Sequence, residues 1–219
     1  KDENVAGHLI ETAANWLLGH NKSKIYGPIS LSTSDNLGCL IEGFNEPNPF
    51  LLPYNPPYYN DLFINAGLTP SLDLYSYNWS NSQSLSARIM RISKRLQKSS
   101  KVSIRPIKYR QLKQEAYYFR DVYNQAMVND WGHIPLTAEE ALYILADHRK
   151  VVPPEYFLWA QVDGVPVGVC LALPNFSDRS LRLVLLAVKP EYNHFGLSAL
   201  LIATMFQISH RDKITSGEL

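Results

Sequence analysis

Residues 183–200, LVLLAVKPEYNHFGLSAL, are the stretch that decides the fold of this chain. They begin inside a nearly continuous apolar run, residues 181–188, which is typical of a strand buried on both faces. A short turn containing Gly196 follows, and residues 197–208 are apolar on almost every side. The stretch therefore predicts a buried strand, a tight turn and a central helix.

The elements before this stretch are predicted in the order strand, helix, helix, strand, strand. The clearest local signals are Thr137 and Glu140 at capping-box spacing and the hairpin dipeptide Asp163-Gly164. Together with the buried strand and helix, they give the order β-α-α-β-β-β-α. The predicted bounds are a strand at 102–106, helices at 110–128 and 137–148, and strands at 156–162 and 165–173.

The first third of the chain is less regular, because residues 45–57 contain five prolines, which exclude a long helix or strand there. Residues 78–84 are rich in Ser and Asn and indicate a linker. The helix predicted after the linker has one apolar face and one basic face, and no acidic residue occurs between Ser84 and Lys113. The remaining predictions are helices at 5–18 and 58–66 and strands at 24–26 and 72–79.

The turn and helix at 183–200 resemble the GNAT superfamily of acyl-CoA N-acyltransferases. The family pattern is a strand, a Pro-Glu-Tyr turn, then Arg/Gln-x-x-Gly-x-Gly/Ala at the start of a helix; here Asn193 replaces the Arg or Gln, and Ser198 replaces the second Gly or Ala. The resemblance implies an α/β (α+β) fold with a mixed central sheet flanked by helices. Longer strings resemble a subgroup of bacterial GNAT-like proteins with two tandem modules; they occupy residues 27–36, 41–44, 54–59 and 129–136.

The subgroup resemblance implies a division of the chain into two modules, both incomplete. Residues 1–80 would be the C-terminal part of a first module, and residues 81–101 a basic linker helix. Residues 102–219 would be a second module that lacks its last elements. The connection at 175–180 is also short for this subgroup.

The resemblance places an acyl-CoA, such as acetyl-CoA, against the turn of the second module. A helix N-terminus offers unpaired N–H groups to a pyrophosphate, and a glycine lets the phosphate approach the backbone. The edge of the preceding strand would pair with the pantetheine arm. The implied coenzyme residues are Leu186, Ala187, Val188, Asn193, His194, Phe195, Gly196, Leu197 and Ser198. An ordinary strand-turn-helix is the structural alternative.

The catalytic residues are less clear, because the resemblance would place a Tyr four residues before Gly67, and Phe63 stands there. Glu42, after an apolar run, is the candidate base, with a surface carboxylate as its alternative. Tyr58 is the candidate acid for the leaving thiolate. Residues 183–188 contain no carboxylate.

The candidate acceptor site is polar and aromatic, and would take a small-molecule or peptide amine. For each group a structural alternative stays open: turn capping, packing between modules, or packing of a loop on the core. The candidates are Ser32, Thr33 and Asn36; Tyr54, Asn55 and Tyr59; and Asp130 and Trp131, with His133 nearby.

Composition excludes several other classes. The 219 residues carry 21 basic and 20 acidic side chains, so no overall field favours nucleic acid or a membrane as partner. The six His and two Cys lack metal-site spacing, and two distant Cys in apolar runs suggest a reducing, cytoplasmic setting. Three hypotheses remain: an N-acyltransferase, a catalytically silent GNAT-like binding protein, and a protein whose basic helix contacts nucleic acid or an anionic surface.

Overall fold

The computed structural model describes residues 2–30, 36–46, 48 and 51–218. The chain forms two compact units, Lys1–Tyr75 and Ser76–Leu219. The boundary therefore lies a few residues before the one expected from the sequence. The basic helix expected as a linker is part of the second unit.

The described residues of the first unit form two helices and a small antiparallel pair of strands. Helix α1 spans Glu3–Gly19, and its N-terminus is capped by the Asp2 carboxylate, which accepts a hydrogen bond from the Val5 N–H at 3.1 Å. Strands β1 (Ile29–Ser30) and β2 (Asn36–Leu37) pair with each other, and α2 spans Tyr59–Asn65. The strand predicted at 24–26 is wrong. Gly27 and Pro28 follow this segment directly, and no strand among the described residues pairs with it.

The second unit is built on a six-stranded mixed sheet, and this confirms the expected fold class. The strands are β3 (Asn78–Ser80), β4 (Val102–Pro106), β5 (Phe157–Val162), β6 (Val165–Asn175), β7 (Ser180–Val188) and β8 (Ser216–Glu218). Their order in the sheet is β3-β8-β7-β6-β5-β4, and only β7 and β8 are parallel. Of the strand predicted at 72–79, only residues 78 and 79 are in β3.

Four helices flank this sheet in two packed pairs. Helices α4 (Leu112–Ala126) and α5 (Ala138–His148) pack against each other, and α3 (Ala87–Leu96) packs against α6 (Leu197–Arg211). The α5 capping box is confirmed: the Thr137 hydroxyl accepts from the Glu140 N–H at 3.2 Å, and the Glu140 carboxylate accepts from the Thr137 N–H at 2.8 Å.

The core of the second unit lies between the sheet and its helices. Most apolar side chains of β5 and β6 are buried, and those of Trp159 and Val169 are completely buried. Cys170 in β6 is also buried, which raises the pKa of its thiol to about 12, so it behaves as a small core residue. Asp163 and Gly164 join β5 to β6 with φ of 48° and 81°, as the predicted hairpin requires.

Candidate functional site

Among the described residues, β7 is paired along its whole length on one side and only at its start on the other. Strand β6 pairs with β7 from Ser180 to Val188, but β8 pairs only with residues 180–182. On the β8 side, residues 183–188 pair with no strand in the described part of the chain. Their edge can therefore offer backbone hydrogen bonds to an extended ligand, as any open strand edge does.

A β-bulge at Val184 lies where the pairing with β8 ends. In the β6–β7 register, Leu171 faces Leu185 while Ala172 faces Leu183, so Val184 is the extra residue. A bulge bends its strand and increases the local twist. It also corrects the sequence expectation that this strand is buried on both faces, because Val184 is 38% exposed.

The turn after β7 leads directly into α6. Residues Pro190–Phe195 form a short 3₁₀ segment, and Gly196, with φ of 85°, is the N-cap of α6. The first in-helix hydrogen bond runs from the Leu200 N–H to the Gly196 carbonyl, so the earlier N–H groups have no partner within the helix. Those N–H groups and the helix dipole favour an anion at this end.

The predicted coenzyme residues thus lie on two consecutive pieces of one strand-turn-helix unit. Leu186 is half-buried, whereas Ala187 and Val188 are buried. Asn193, His194 and Ser198 are exposed around the turn, with Phe195 half-buried and Leu197 buried.

The reason for a glycine at position 196 differs from the sequence expectation. A Cβ added there would lie 2.7 Å from Cγ2 of Ile92 on α3, so the space beside the glycine is filled by that helix. The positive φ is a second requirement for glycine. Gly196 therefore lets α3 pack closely against the start of α6. The expected room for a phosphate at its missing side chain is not there.

Lys189, the residue after β7, attaches this turn to α4. Its Nζ lies 2.6 Å from Oδ2 of Asp121, and its side chain is only 10% exposed. Its backbone N–H donates to the Val167 carbonyl at 2.9 Å, and its carbonyl accepts from Tyr192 at 2.9 Å. The sequence did not reveal this pair; the only signal was a lysine directly after an apolar strand.

The loop between α4 and α5 contains the candidates Asp130 and Trp131, both exposed. The loop is held by Asn124, whose side chain exchanges hydrogen bonds of 2.8 and 3.0 Å with the backbone of Leu136. Neither ring nitrogen of His133 has a hydrogen-bond partner, although both are buried; its ring lies 5.5 Å from that of Tyr123.

A buried carboxylate in the second unit was not predicted from the sequence. Glu115 on α4 is 1% exposed and lies 3.0 Å from the Arg105 guanidinium, and its Oε2 accepts a hydrogen bond of 2.6 Å from Trp159 Nε1. Its oxygens are directed at β4 and β5. This arrangement fixes α4 to the sheet and leaves the carboxylate paired.

The first-unit candidate Asn55 has a structural role in addition to the substrate-binding role predicted for it. It is buried, its Oδ1 accepts from the Leu40 N–H at 2.6 Å, and its Nδ2 donates to the Leu40 carbonyl at 3.3 Å. Asn60 continues this clamp by accepting from the Cys39 thiol at 2.9 Å. The Asn55 amide is therefore used to join two loop segments.

The other candidates of the first unit are mostly exposed. Glu42 is exposed, as is Asn36, which lies in β2 opposite Ser30. Tyr58 is the N-cap of α2, and its ring lies 5.3 Å from that of Tyr59. Tyr54 is also exposed. Ser32 and Thr33 lie outside the described residues.

Neither a cluster of metal-binding side chains nor a membrane-spanning helix is found among the described residues. No group of three or more His, Cys, Asp or Glu side chains there could hold a metal ion. No described helix is long and apolar enough to cross a bilayer.

Comparison with solved structures shows that the chain has the GNAT fold. A GCN5-related N-acetyltransferase from Sphaerobacter thermophilus matches 73% of this chain and 45% of its own, with a TM-score of 0.54 and 21% identity. The GCN5-related glucosamine N-acetyltransferase region of a fungal multi-domain β-N-acetylglucosaminidase also matches 73% of the chain, with a TM-score of 0.54 and 11% identity; the match covers 19% of that protein. The superfamily resemblance of the sequence is thus confirmed at the level of the fold.

Two curated proteins are related in sequence to this chain. Protein YghO of Escherichia coli (strain K12) is 28% identical over 179 residues, and the bacterial ceramide synthase of Caulobacter vibrioides is 25% identical over 177 residues. Each alignment covers 81% of this chain but only 45% and 46% of the respective relative. The chain therefore spans slightly less than half the length of these relatives. No family model matches it.

Proposed function

We propose that the second unit binds an acyl-CoA and that the protein transfers its acyl group to an amine. One observation carries this proposal: β7, whose residues 183–188 have a strand partner on only one side within the described residues, leads directly through the Gly196 turn into the N-terminus of α6, which has no side-chain cap. An extended arm with amide groups suits a strand edge, and a pyrophosphate suits a helix N-terminus. Coenzyme A joins these two chemistries in one molecule.

When bound, the acyl-CoA supplies a thioester whose carbonyl carbon accepts the amine. The neutral amine nitrogen forms a bond to that carbon, the carbon–sulfur bond breaks, and the thiolate leaves. The nitrogen loses one proton and the sulfur gains one, so the products are an amide and a free thiol. Glu42 and Tyr58 stay the sequence-based candidates for these two proton transfers.

The acceptor class is suggested by the name of one relative. That protein is called a bacterial ceramide synthase, and a ceramide is the amide of a fatty acid with a long-chain amino alcohol. We therefore rank a sphingoid amine, which is a small-molecule acceptor, ahead of a peptide amine. The acyl donor is acetyl-CoA or a longer acyl-CoA, and both have the same pyrophosphate and pantetheine groups.

Coenzyme binding is tested by calorimetry with acetyl-CoA and palmitoyl-CoA. The variant Ser198→Pro removes one N–H from the first turn of α6, where a proline is tolerated, and Ser198→Ala is the matched control that keeps the N–H. We expect Ser198→Pro to weaken binding about tenfold or more and Ser198→Ala to leave it nearly unchanged. If neither acetyl-CoA nor palmitoyl-CoA gives heat of binding, the proposed site is refuted.

Turnover is tested by thiol release over an amine panel that includes sphinganine, a small alkylamine and a peptide amine. Glu42→Gln and Tyr58→Phe should lower the rate if these side chains handle protons. A GNAT-like protein that only binds a ligand is the alternative, and Phe63 at the expected tyrosine position favours it. Coenzyme binding without thiol release across the panel would select that alternative.

A further inference from the structure

The basic face of α3 is an unpaired positive surface fixed on the outside of the second unit. All of its cations are exposed, and no described carboxylate lies within ion-pair distance of them. Since residues are spaced by about 100° along a helix, the four cations within α3 span about 120° of the circumference. Together with Lys98 in the turn just after the helix, they form the basic face: Arg88, Arg91, Lys94, Arg95 and Lys98.

The opposite face of α3 fixes the orientation of these cations. Ser93 and Leu96 are buried, and Ile92 packs against Gly196 at the start of α6. The apolar face of α3 can therefore contact a partner only if the helix first separates from α6. Any partner of α3 meets charge, so the contact is electrostatic and does not require insertion of apolar side chains.

The sequence on both sides of α3 adds no acidic residue close to it. Residues 85–112 contain no Asp or Glu, although the whole chain has nearly equal numbers of acidic and basic residues. The net charge of +1 thus conceals a local positive surface. Because exposed charges are screened over about 10 Å at 0.1 M salt, the local surface rather than the net charge decides what approaches it.

We propose that the basic face of α3 docks on an anionic phospholipid surface. A bilayer is flat and its charged headgroups diffuse laterally, so it can match a short row of arginines and lysines without a fixed register. A single-stranded nucleic acid fits less well, because residues 85–108 contain no aromatic side chain on which bases could stack. This inference does not depend on the proposed acyltransfer.

The test is flotation of the chain with lipid vesicles. Vesicles of phosphatidylcholine alone are compared with vesicles that also contain phosphatidylglycerol, at low salt and at about 1 M salt, where the Debye length is about 3 Å. We expect binding only to the anionic vesicles, and loss of binding at high salt. Failure to bind anionic vesicles at low salt would overturn the proposal.

A charge-neutral variant of α3 identifies the face. Five substitutions to Gln should weaken vesicle binding at least a hundredfold, because each basic residue near an anionic bilayer contributes about fivefold. The matched control removes five other exposed cations and should bind nearly as the native chain does. The control positions are Lys22, Lys24, Arg149, Arg179 and Lys213.

Two further measurements separate the charge of this face from the stability of the fold and from affinity for nucleic acid. A variant with Lys at the three arginines of the face retains the charge and should retain binding, which separates charge from loss of folding. Equal weakening by the control variant would overturn the assignment to α3. Tighter binding to a short DNA duplex than to anionic vesicles at the same salt would assign the face to nucleic acid instead.

Discussion

The Lys189 ammonium group and the Asp121 carboxylate lie 2.6 Å apart and join the turn after β7 to α4. The Lys189 side chain is only 10% exposed, so it depends on its partner for compensation of its charge. Asp121→Asn should therefore lower the free energy of unfolding by about 1–2 kcal/mol, less than for a fully buried pair because Asp121 is one-third exposed. Urea denaturation measures this loss.

The exposed pair of Asp147 and Lys150 is the control for this prediction. Asp147→Asn should cause no measurable change, because both side chains are mostly exposed. The double variant Asp121→Asn/Lys189→Met should recover part of the loss, because the unpaired buried cation is gone. An Asp121→Asn effect as small as that of Asp147→Asn would contradict a stabilising role.

The buried Glu115 should make Arg105 unusually sensitive to substitution. Arg105→Met leaves a carboxylate that is 1% exposed with only its hydrogen bond from Trp159. We expect a loss of about 3 kcal/mol, because one partner of a buried ion pair is removed. Adding Glu115→Gln to Arg105→Met should restore part of the lost free energy of unfolding. Thermal or urea unfolding measures both the loss and the recovery. A double variant no more stable than Arg105→Met would contradict this account.

Local signals explain what the sequence predicted well. The capping box at Thr137, the Asp163-Gly164 hairpin and the turn at Gly196 each depend on a few adjacent residues, and all three are present. The strand expected at 24–26 is absent, because a strand also needs a partner that is distant in sequence.

The parts that the sequence did not predict depend on long-range contacts. Asp121 and Lys189 are separated by 68 positions, and Glu115 and Trp159 by 44, so no local pattern links them. The packing of α3 on Gly196 is a similar case. An amphipathic helix shows that it has an apolar face, but its pattern does not identify the element that covers that face.

Gly196→Ala should destabilise the protein more than substitution of another glycine with positive φ. Gly164 has a similar φ of 81°, but a Cβ there meets nothing within 4 Å, so Gly164→Ala should cost only the backbone strain of about 1–2 kcal/mol. At Gly196 the overlap with Ile92 adds to that strain. Adding Ile92→Ala to Gly196→Ala should remove the part of the loss that comes from this overlap. Equal losses of stability for Gly196→Ala and Gly164→Ala would contradict the packing role of Gly196.

Asp212 should contribute stability that depends on pH. The Arg211 guanidinium, followed by the Tyr156 hydroxyl at 2.9 Å, lowers the pKa of this carboxyl in the folded state. The folded protein therefore binds the proton less tightly than the unfolded chain does. The contribution is complete above about pH 4, the ordinary pKa of Asp, and is lost as the pH falls through the lower folded pKa.

Urea denaturation of the native chain and of Asp212→Asn at pH 7 and near pH 3 measures this dependence. The native chain should be the more stable one at pH 7, and the difference should shrink as the carboxyl is protonated. Tyr156→Phe removes one of the hydrogen bonds at a buried ring and should cost about 1 kcal/mol at pH 7. Since Arg211 has the larger effect on the Asp212 pKa, Tyr156→Phe should retain most of the pH dependence. A stability difference between the native chain and Asp212→Asn that stays constant with pH would contradict the role of Asp212.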